Sequence, residues 1–306
     1  MNNTEIKFLL KQCKNDHMGY ITLINDYWHY KVSKNRIPDE NDLMSGKYYH
    51  HKFSNWSDFL IEMEGKAEKI YQMENARKFI RKIQQSPKLM KERLIMHPQP
   101  YQEYKTGLEL FGDWDVCLEI CGLKKKFLRI DAVQQHRYLV KLFRGYLLID
   151  GMTPKTGRNP KLLRLLKMAG GWNRFLHSEG LPNALNGREN LPDQPLFDEL
   201  KILSDQLGYA PTSEQFYRSP TLVNHFGSWK NVLKAAGLKA TYIGNQDRKF
   251  TVTVERIQFW YGFIQEVFKQ NNIKRKISYE FYVSIGPGQA MLNVYGSWEK
   301  FVRSQE

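Results

Sequence analysis

The sequence predicts an all-α protein, a tandem array of about five small helical repeats. A short motif centred on tryptophan recurs along the chain, apolar residues follow helical spacing, and no alternating strand pattern of useful length is present. The steps between the motif tryptophans are 58, 58, 57 and 69 residues, and these residues are Trp56, Trp114, Trp172, Trp229 and Trp298. Such a near-constant period is typical of a repeat protein.

The motif is clearest at residues 225–238 (HFGSWKNVLKAAGL). Ser228 is suited to cap a helix, and Gly237 stands where a left-handed residue ends one. Trp229 and Val232 fall on one helical face together with other apolar residues. We therefore expect the motif tryptophans to lie in the core rather than to stack on nucleic-acid bases.

In the first three repeats, apolar residues predict a helix that runs to Tyr30 and is followed by a turn at Pro38. A helix near residues 68–84 opens the second repeat, and residues 86–87 (SP) begin another. The third repeat starts with a long amphipathic helix through Tyr146 and turns at residues 152–154 (MTP). Its next helix opens at residues 159–160 (NP).

The fourth repeat opens with a helix whose leucines 196, 200, 203 and 207 form one apolar stripe. A turn at residues 210–213 (APTS) and two further capped helices follow. The fifth repeat repeats this order, with a basic turn at residues 274–276. Polar linkers are expected at residues 182–187 and 244–247. The predicted repeats span residues 1–66, 67–123, 124–181, 182–240 and 241–306.

The net charge of the chain is +14, and it is unevenly distributed. Residues 124–181 contain 13 Lys and Arg against 3 Asp and Glu, whereas residues 1–66 and 182–240 are balanced. A local excess of this size favours a polyphosphate partner.

Other classes of protein fit the sequence poorly. The apolar runs are short and broken by Lys or Arg, and the first residues lack the pattern of a secretory signal, so we expect a cytoplasmic protein without a membrane span. Three cysteines form neither a disulfide framework nor a zinc quartet. His50 and His51 have no acidic or thiol partner at ligand spacing. We expect no metal, no cofactor and no enzymatic activity.

Residues 210–213 (APTS), 226–229 (FGSW) and 235–238 (AAGL) resemble the homing endonuclease associated repeat. This family consists of small helix-turn-helix-like modules found beside HNH nuclease domains and in phage and mobile-element proteins. The resemblance is specific in the fourth repeat, good in the fifth and partial elsewhere, and no HNH or GIY-YIG motif accompanies it. It implies that the modules bind double-stranded DNA.

In a helix-turn-helix module the helix before the motif tryptophan would enter the major groove, where Arg and Lys pair with guanine or phosphate and Asn and Gln with adenine. The candidate DNA-binding residues are Lys47, His50, Lys52, Lys155, Arg158, Lys161, Arg164, Lys167, Arg174, Arg218, Thr221, Asn224, His225, Lys274, Arg275, Lys276, Gln289 and Asn293.

The function that these observations favour is sequence-specific regulation of a phage or mobile element by multivalent binding to double-stranded DNA. Two alternatives stay open at the level of sequence. One is a protein-protein scaffold, in which the uncharged repeats bind partners. The other is the DNA-targeting subunit of a nuclease that acts in trans. Nothing in the sequence excludes RNA, and the oligomeric state does not follow from it.

Overall fold

A computed structural model describes residues 1–123, 132–181, 193–241 and 252–305. These residues form helices, turns and connecting segments, with no β-strand among them, which confirms the all-α class. The linkers predicted at residues 182–187 and 244–247 lie outside the described residues, as does the Lys124 to Lys126 run.

Sixteen α-helices are found in the described part of the chain. They are α1 (Asn3–Tyr30), α2 (Trp56–Glu64), α3 (Ala67–Gln85), α4 (Lys88–Met96), α5 (Gln102–Phe111), α6 (Trp114–Ile120), α7 (Ala132–Asp150), α8 (Leu162–Ala169), α9 (Trp172–Ser178), α10 (Asp193–Leu207), α11 (Ser219–Phe226), α12 (Trp229–Ala235), α13 (Val254–Gln270), α14 (Tyr279–Ile285), α15 (Gly288–Tyr295) and α16 (Trp298–Gln305). Shorter pieces are a π-helix (Lys31–Asn35) and 3-10 turns (Glu40–Asp42, Gly46–His51, Thr156–Arg158, Ser213–Gln215).

A turn of one kind precedes three of the tryptophan helices. A three-residue 3-10 turn begins two residues after each of Pro38, Pro154 and Pro211. In each case the motif tryptophan comes 18 residues after the proline. Reciprocal capping bonds close the first and third of these turns, between Asp39 and Asp42 and between Thr212 and Gln215.

The tryptophan ring ties this turn to the helix that follows it. The indole N–H of Trp56 donates to the carbonyl oxygen of Pro38 at 3.3 Å, and that of Trp229 donates to the carbonyl oxygen of Pro211 at 2.8 Å. Both rings also pack on apolar neighbours, so one side chain fills the core and fixes the distance between two elements.

The second and third repeats vary this contact. The indole N–H of Trp114 donates at 3.1 Å to the carbonyl of Leu94, near the end of α4. The usual helical donor to that carbonyl would be residue 98, which is a proline without an N–H. The indole nitrogen of Trp172 is buried and has no hydrogen-bond partner among the described residues.

Glycine and a capping side chain set the entrance to the helices at Trp114 and Trp229. Gly112 and Gly227 end the preceding helices at φ of 66° and 77°, in the left-handed region that favours glycine. The next residue then caps the tryptophan helix: Asp113 accepts from the backbone of residues 115 and 116, and Ser228 accepts from Asn231. This local chemistry explains the Gly-Asp-Trp and Gly-Ser-Trp motifs.

Burial around the five motif tryptophans follows a common pattern. Trp56 and Trp114 are buried, as expected, whereas Trp172, Trp229 and Trp298 are half-buried. The seventh residue before each tryptophan is buried in every case, and these residues are Tyr49, Gly107, Leu165, Leu222 and Met291. The third residue after it is also buried, and these residues are Phe59, Cys117, Phe175, Val232 and Phe301. The division of the chain into five repeats stays a prediction.

Backbone contacts divide the chain into two compact units. The first comprises Met1–Asp26, Met44–His51 and Asn190–Glu306. In it the first turns of α1 share a core with α13, α14 and α16, and the Lys14 ammonium donates to the carbonyl of Ile285 at 2.7 Å. The leucine stripe predicted for α10 is fully buried.

The second unit comprises Tyr27–Leu43 and Lys52–Glu189. Its core is formed by apolar residues of α3 to α9. Arg77 lies buried between the turn at Pro38 and the end of α7, donating to the carbonyl oxygens of Ile37 at 2.6 Å and Ile149 at 2.7 Å and to Asp39 at 3.0 Å. The predicted first repeat therefore contributes residues to both units.

We expect Trp114→Phe to lower the free energy of unfolding by more than Trp172→Phe does. Both variants keep an aromatic ring in the second unit, but only Trp114→Phe leaves a carbonyl, that of Leu94, without its donor, at a cost of about 1–3 kcal/mol. Chemical denaturation of the two variants measures the difference. Equal losses would mean that the indole hydrogen bond contributes nothing to stability.

Candidate nucleic-acid interface

The helix before each tryptophan turns one face to solvent. Residues nine and five positions before the tryptophan are exposed in all five cases, while the residue between them, at position seven, is buried. The exposed residues at position nine are Lys47, Lys105, Leu163, Pro220 and Gln289, and those at position five are His51, Glu109, Lys167, Asn224 and Asn293. On this exposed face the helices carry different types of side chain.

The fifth position before the tryptophan is therefore a point of comparison between repeats. It holds Lys167 on α8, Asn224 on α11 and Asn293 on α15, all exposed. A lysine there supplies a point charge, whereas an asparagine amide matches the donor and acceptor of an adenine edge. The same place on the fold is thus suited to a phosphate in one repeat and to a base in two others.

Helices α8 and α9 present the densest set of available cations. Arg164 and Lys167 on α8 and Arg174 on α9 are exposed. None of the three makes a side-chain hydrogen bond or ion pair with another residue of the described ranges. The apolar side chains of Leu163 and Met168, which are 45% and 47% exposed, lie on the same helix. These charges carry little neutralisation from the protein itself.

Three other predicted cations of this repeat are held within the protein. Arg158 makes two hydrogen bonds to the carboxylate of Asp150, at 2.9 and 3.1 Å, and lies over the ring of Tyr146. Lys161 pairs with Glu119, and Lys155 donates to the carbonyl oxygen of Ser33 at 3.3 Å. The charged groups of these three residues therefore bond to other parts of the protein.

The pairing of Arg158 has an electrostatic reason. Asp150 is 2% exposed, and this burial raises the pKa of its carboxyl group. The charge and hydrogen bonds of Arg158 act in the opposite direction and lower that pKa. Arg158 therefore offsets part of the cost of burying the Asp150 carboxylate.

The predicted contacts of the fourth repeat differ in exposure. Asn224 and His225 are exposed on α11, and Thr221 is half-buried. Arg218 precedes α11 at its N-cap, and its Nε atom is buried without a hydrogen-bond partner among the described residues. Asn224 is thus the clearest candidate for base contact in this repeat.

In the fifth repeat, Lys274, Arg275 and Lys276 are exposed in the loop between α13 and α14. The guanidinium of Arg275 donates to the side chain of Asn3 at 2.6 Å. On α15, the amide of Gln289 donates to Asn293 at 3.1 Å. This bond links two predicted contacts on one exposed face.

The first repeat places Lys47 and His50 on the 3-10 turn Gly46–His51, both exposed. Lys47 lies 5.2 Å from the ring of Tyr48, and the His50 ring packs on Tyr49 at 3.9 Å. Lys52, also exposed, follows this turn directly.

The helices that begin with tryptophan add cations that the sequence analysis did not include. Lys230 and Lys234 are exposed on α12, and Lys300 and Arg303 are exposed on α16. The sequence contains a pattern that could have indicated them: Lys300 stands two residues after Trp298, as the predicted contact Arg174 does after Trp172. The exposed cationic surface therefore extends over two helices of a module rather than one.

Metal-binding clusters and membrane-spanning helices are both absent from the described ranges. No cluster of three or more His, Cys, Asp or Glu side chains there is placed to hold a metal ion. None of the helices in that part of the chain combines the length and apolar character that crossing a bilayer requires.

Comparison with known families finds one match. The family model of the homing endonuclease associated repeat matches residues 191–239. This range contains the turn at Pro211 and the helices α11 and α12, so the resemblance seen in the fourth repeat is confirmed. Neither the curated proteins nor the solved structures gave a match to the chain.

We expect Arg158→Ala to destabilise the second unit, because it leaves the buried carboxylate of Asp150 without its main partner. Arg158 is partly exposed, so the loss should be about 1–3 kcal/mol, below that of a fully buried pair. Removing Arg158 raises the pKa of Asp150 further. An acid whose pKa is higher in the folded than in the unfolded protein stabilises the fold while it is protonated. That stabilisation is lost as the pH rises through the pKa of the folded state.

The stability that Arg158→Ala loses relative to the unmodified protein should therefore be small at about pH 4 and larger near neutrality. Thermal melting across this range measures it. The double variant Arg158→Ala, Asp150→Asn removes the titrating group and should abolish the pH dependence of the deficit. A deficit that is the same at both pH values would show that the ion pair does not matter.

Proposed function

We propose that this protein binds double-stranded DNA without catalysing a reaction on it. Its helix-turn-helix modules would place the exposed faces of α8, α11 and α15 against the duplex. The observation that carries the proposal is the set of exposed cations Arg164, Lys167 and Arg174, which have no partner among the described residues and lie in the one repeat with a large positive charge. Binding to phosphate releases condensed counterions and needs cations that the protein does not neutralise itself.

The modules would divide the work between them. Repeat three supplies charge that suits the DNA backbone, which fixes position but carries no sequence information. The balanced repeat four carries Asn224 at the corresponding place, where an amide can distinguish adenine by about 1–3 kcal/mol. Modules joined in one chain raise each other's effective concentration to roughly millimolar, so weak contacts add up to stable binding.

The biological role is a regulator encoded by a phage or mobile element, acting in the cytoplasm. Support for this comes from the family match at residues 191–239, since that repeat is found in such proteins. A scaffold for partner proteins and a DNA-targeting subunit of a nuclease are the rivals. Absence of DNA binding by the purified protein would favour the scaffold, and cleavage that needs an added partner would favour the nuclease subunit.

We expect the double variant Arg164→Ala, Lys167→Ala to bind all duplexes more weakly, because both side chains would neutralise phosphates. The slope of log affinity against log salt concentration should become shallower by about two, one for each lost contact. Fluorescence anisotropy with a random duplex at several salt concentrations measures it.

A matched control for this experiment is Lys78→Ala, Lys88→Ala, which removes the same charge from exposed positions on α3 and α4. This variant should keep the original slope. If both double variants lose the same affinity, only total charge matters, and a binding face on α8 is disproved.

We expect Asn224→Ala to weaken binding to the preferred site by about 1–3 kcal/mol and to leave binding to random DNA nearly unchanged. The preferred site would first be found by selection from random oligonucleotides. Asn41→Ala, which removes an exposed amide from a 3-10 turn, is the control and should affect neither duplex. Equal effects of Asn224→Ala on both duplexes would mean that α11 does not distinguish bases.

A further inference from the structure

The second compact unit contains a cavity of about 720 Å³. It lies among the π-helix Lys31–Asn35, the junction of α2 and α3, and the end of α7. Its volume is within the range of about 300–1,000 Å³ that is usual for small-molecule sites. None of the predicted DNA contacts lines it.

Four cationic side chains line this cavity. They are Lys31, Lys66, Lys69 and Arg144, and Glu64 is the one carboxylate among the described lining residues. Lys31 and the hydroxyl of Tyr27 both bond to Glu64, and Arg144 pairs with Glu179 at 2.9 Å. Lys66 and Lys69 make no side-chain hydrogen bond or ion pair with another described residue. Two ammonium groups are therefore available to an anion.

The surroundings of Lys69 favour the binding of an anion. Partial burial lowers the pKa of Lys69, and repulsion from Lys31 and Lys66 lowers it further, against the opposing attraction of Glu64. An anionic group between Lys66 and Lys69 would offset both unfavourable effects, because it replaces lost hydration and balances the like charges.

Four apolar side chains also line the cavity. Leu147, Leu148, Met152 and Leu181 line it and are only half-buried by the protein. A ligand body that covers them would bury hydrocarbon that the fold leaves partly exposed to water. A methionine among the leucines suits contact with a ring.

Asn35 supplies a third, more specific feature. It lines the cavity at 2% exposure, with φ of 53° at the end of the π-helix. Its amide nitrogen donates to the carbonyl of Thr153, which fixes the orientation of the amide, and its Oδ1 atom is buried without a donor among the described residues. A buried acceptor without a donor costs about 1–3 kcal/mol, and π-helices often lie at functional sites.

We propose that this cavity binds a small amphipathic organic anion. Its acidic group, a carboxylate, sulfonate or phosphate ester, would bind Lys66 and Lys69. Its apolar or aromatic body would pack on Leu147, Leu148 and Met152. Inorganic phosphate lacks the body, and a neutral hydrocarbon lacks the charge, so neither satisfies the site. This proposal does not depend on DNA binding.

The test uses 8-anilinonaphthalene-1-sulfonate, which combines a sulfonate, two aromatic ring systems and one N–H and fluoresces when it leaves water. Titration of the folded protein should give saturable binding at one site. The double variant Lys66→Gln, Lys69→Gln should weaken that binding by about tenfold or more, because two charge-assisted contacts are lost. Lys78→Gln, an exposed lysine on the same helix α3, should change nothing.

Competition identifies the natural class of ligand. Adenosine 5′-monophosphate and dodecanoate each carry an anion on a larger body, and displacement of the dye by one of them shows whether the body is a ring system or an alkyl chain. Inorganic phosphate at the same concentration should not displace it. Thermal melting confirms that each variant is folded.

The proposal is overturned if the dye does not bind or if it binds at many equivalent sites. It is also overturned if the double variant Lys66→Gln, Lys69→Gln binds the dye as well as the control variant Lys78→Gln does. The assay contains no DNA. Failure here therefore leaves the proposed function standing, and normal dye binding by Arg164→Ala, Lys167→Ala would show that the two sites are separate.

Discussion

In the first and fourth repeats, a hydrogen bond from the tryptophan indole to a carbonyl 18 residues earlier is the constraint that sets the geometry of the module. The acceptors are Pro38 and Pro211, and the donating rings also pack on the buried rings of Phe59 and Phe216. The turn, the exposed helix and the tryptophan helix are thereby held at a fixed separation. The surface that faces solvent follows from this, because the helix between the two bonded points has only one face left to expose.

The cations of the basic repeat lie in two different environments. Arg158 stabilises the buried carboxylate of Asp150, whereas Arg164 and Lys167 have no partner among the described residues. The sequence shows 13 cations against 3 anions in this repeat, but it does not show which cations form ion pairs within the protein. Lys161 illustrates the reason, since its partner Glu119 is 42 residues away in the chain.

Much of the local structure follows from the sequence because its causes are local. Caps such as Ser228, left-handed glycines such as Gly227 and the leucine stripe of α10 act within a few residues. Contacts between distant segments do not have such a signal. The packing of α1 beside α13 to α16, and the cavity beside Asn35, depend on pairings that spacing alone does not encode. The 18-residue spacing from proline to tryptophan was present in the sequence, but its meaning depends on a hydrogen bond that only the structure shows.

The fixed separation also determines where this chain tolerates insertions and deletions. The distances between successive tryptophans are 58, 58, 57 and 69 residues, yet Pro38, Pro154 and Pro211 each precede their tryptophan by 18. Removing one residue before Leu222 would rotate the rest of α11 by about 100°, since a helix has 3.6 residues per turn. Leu222 would leave the core and Asn224 would leave the surface. Length can therefore vary between modules, as the 69-residue step shows, while a single residue lost inside one would turn the inner face of its helix away from the core.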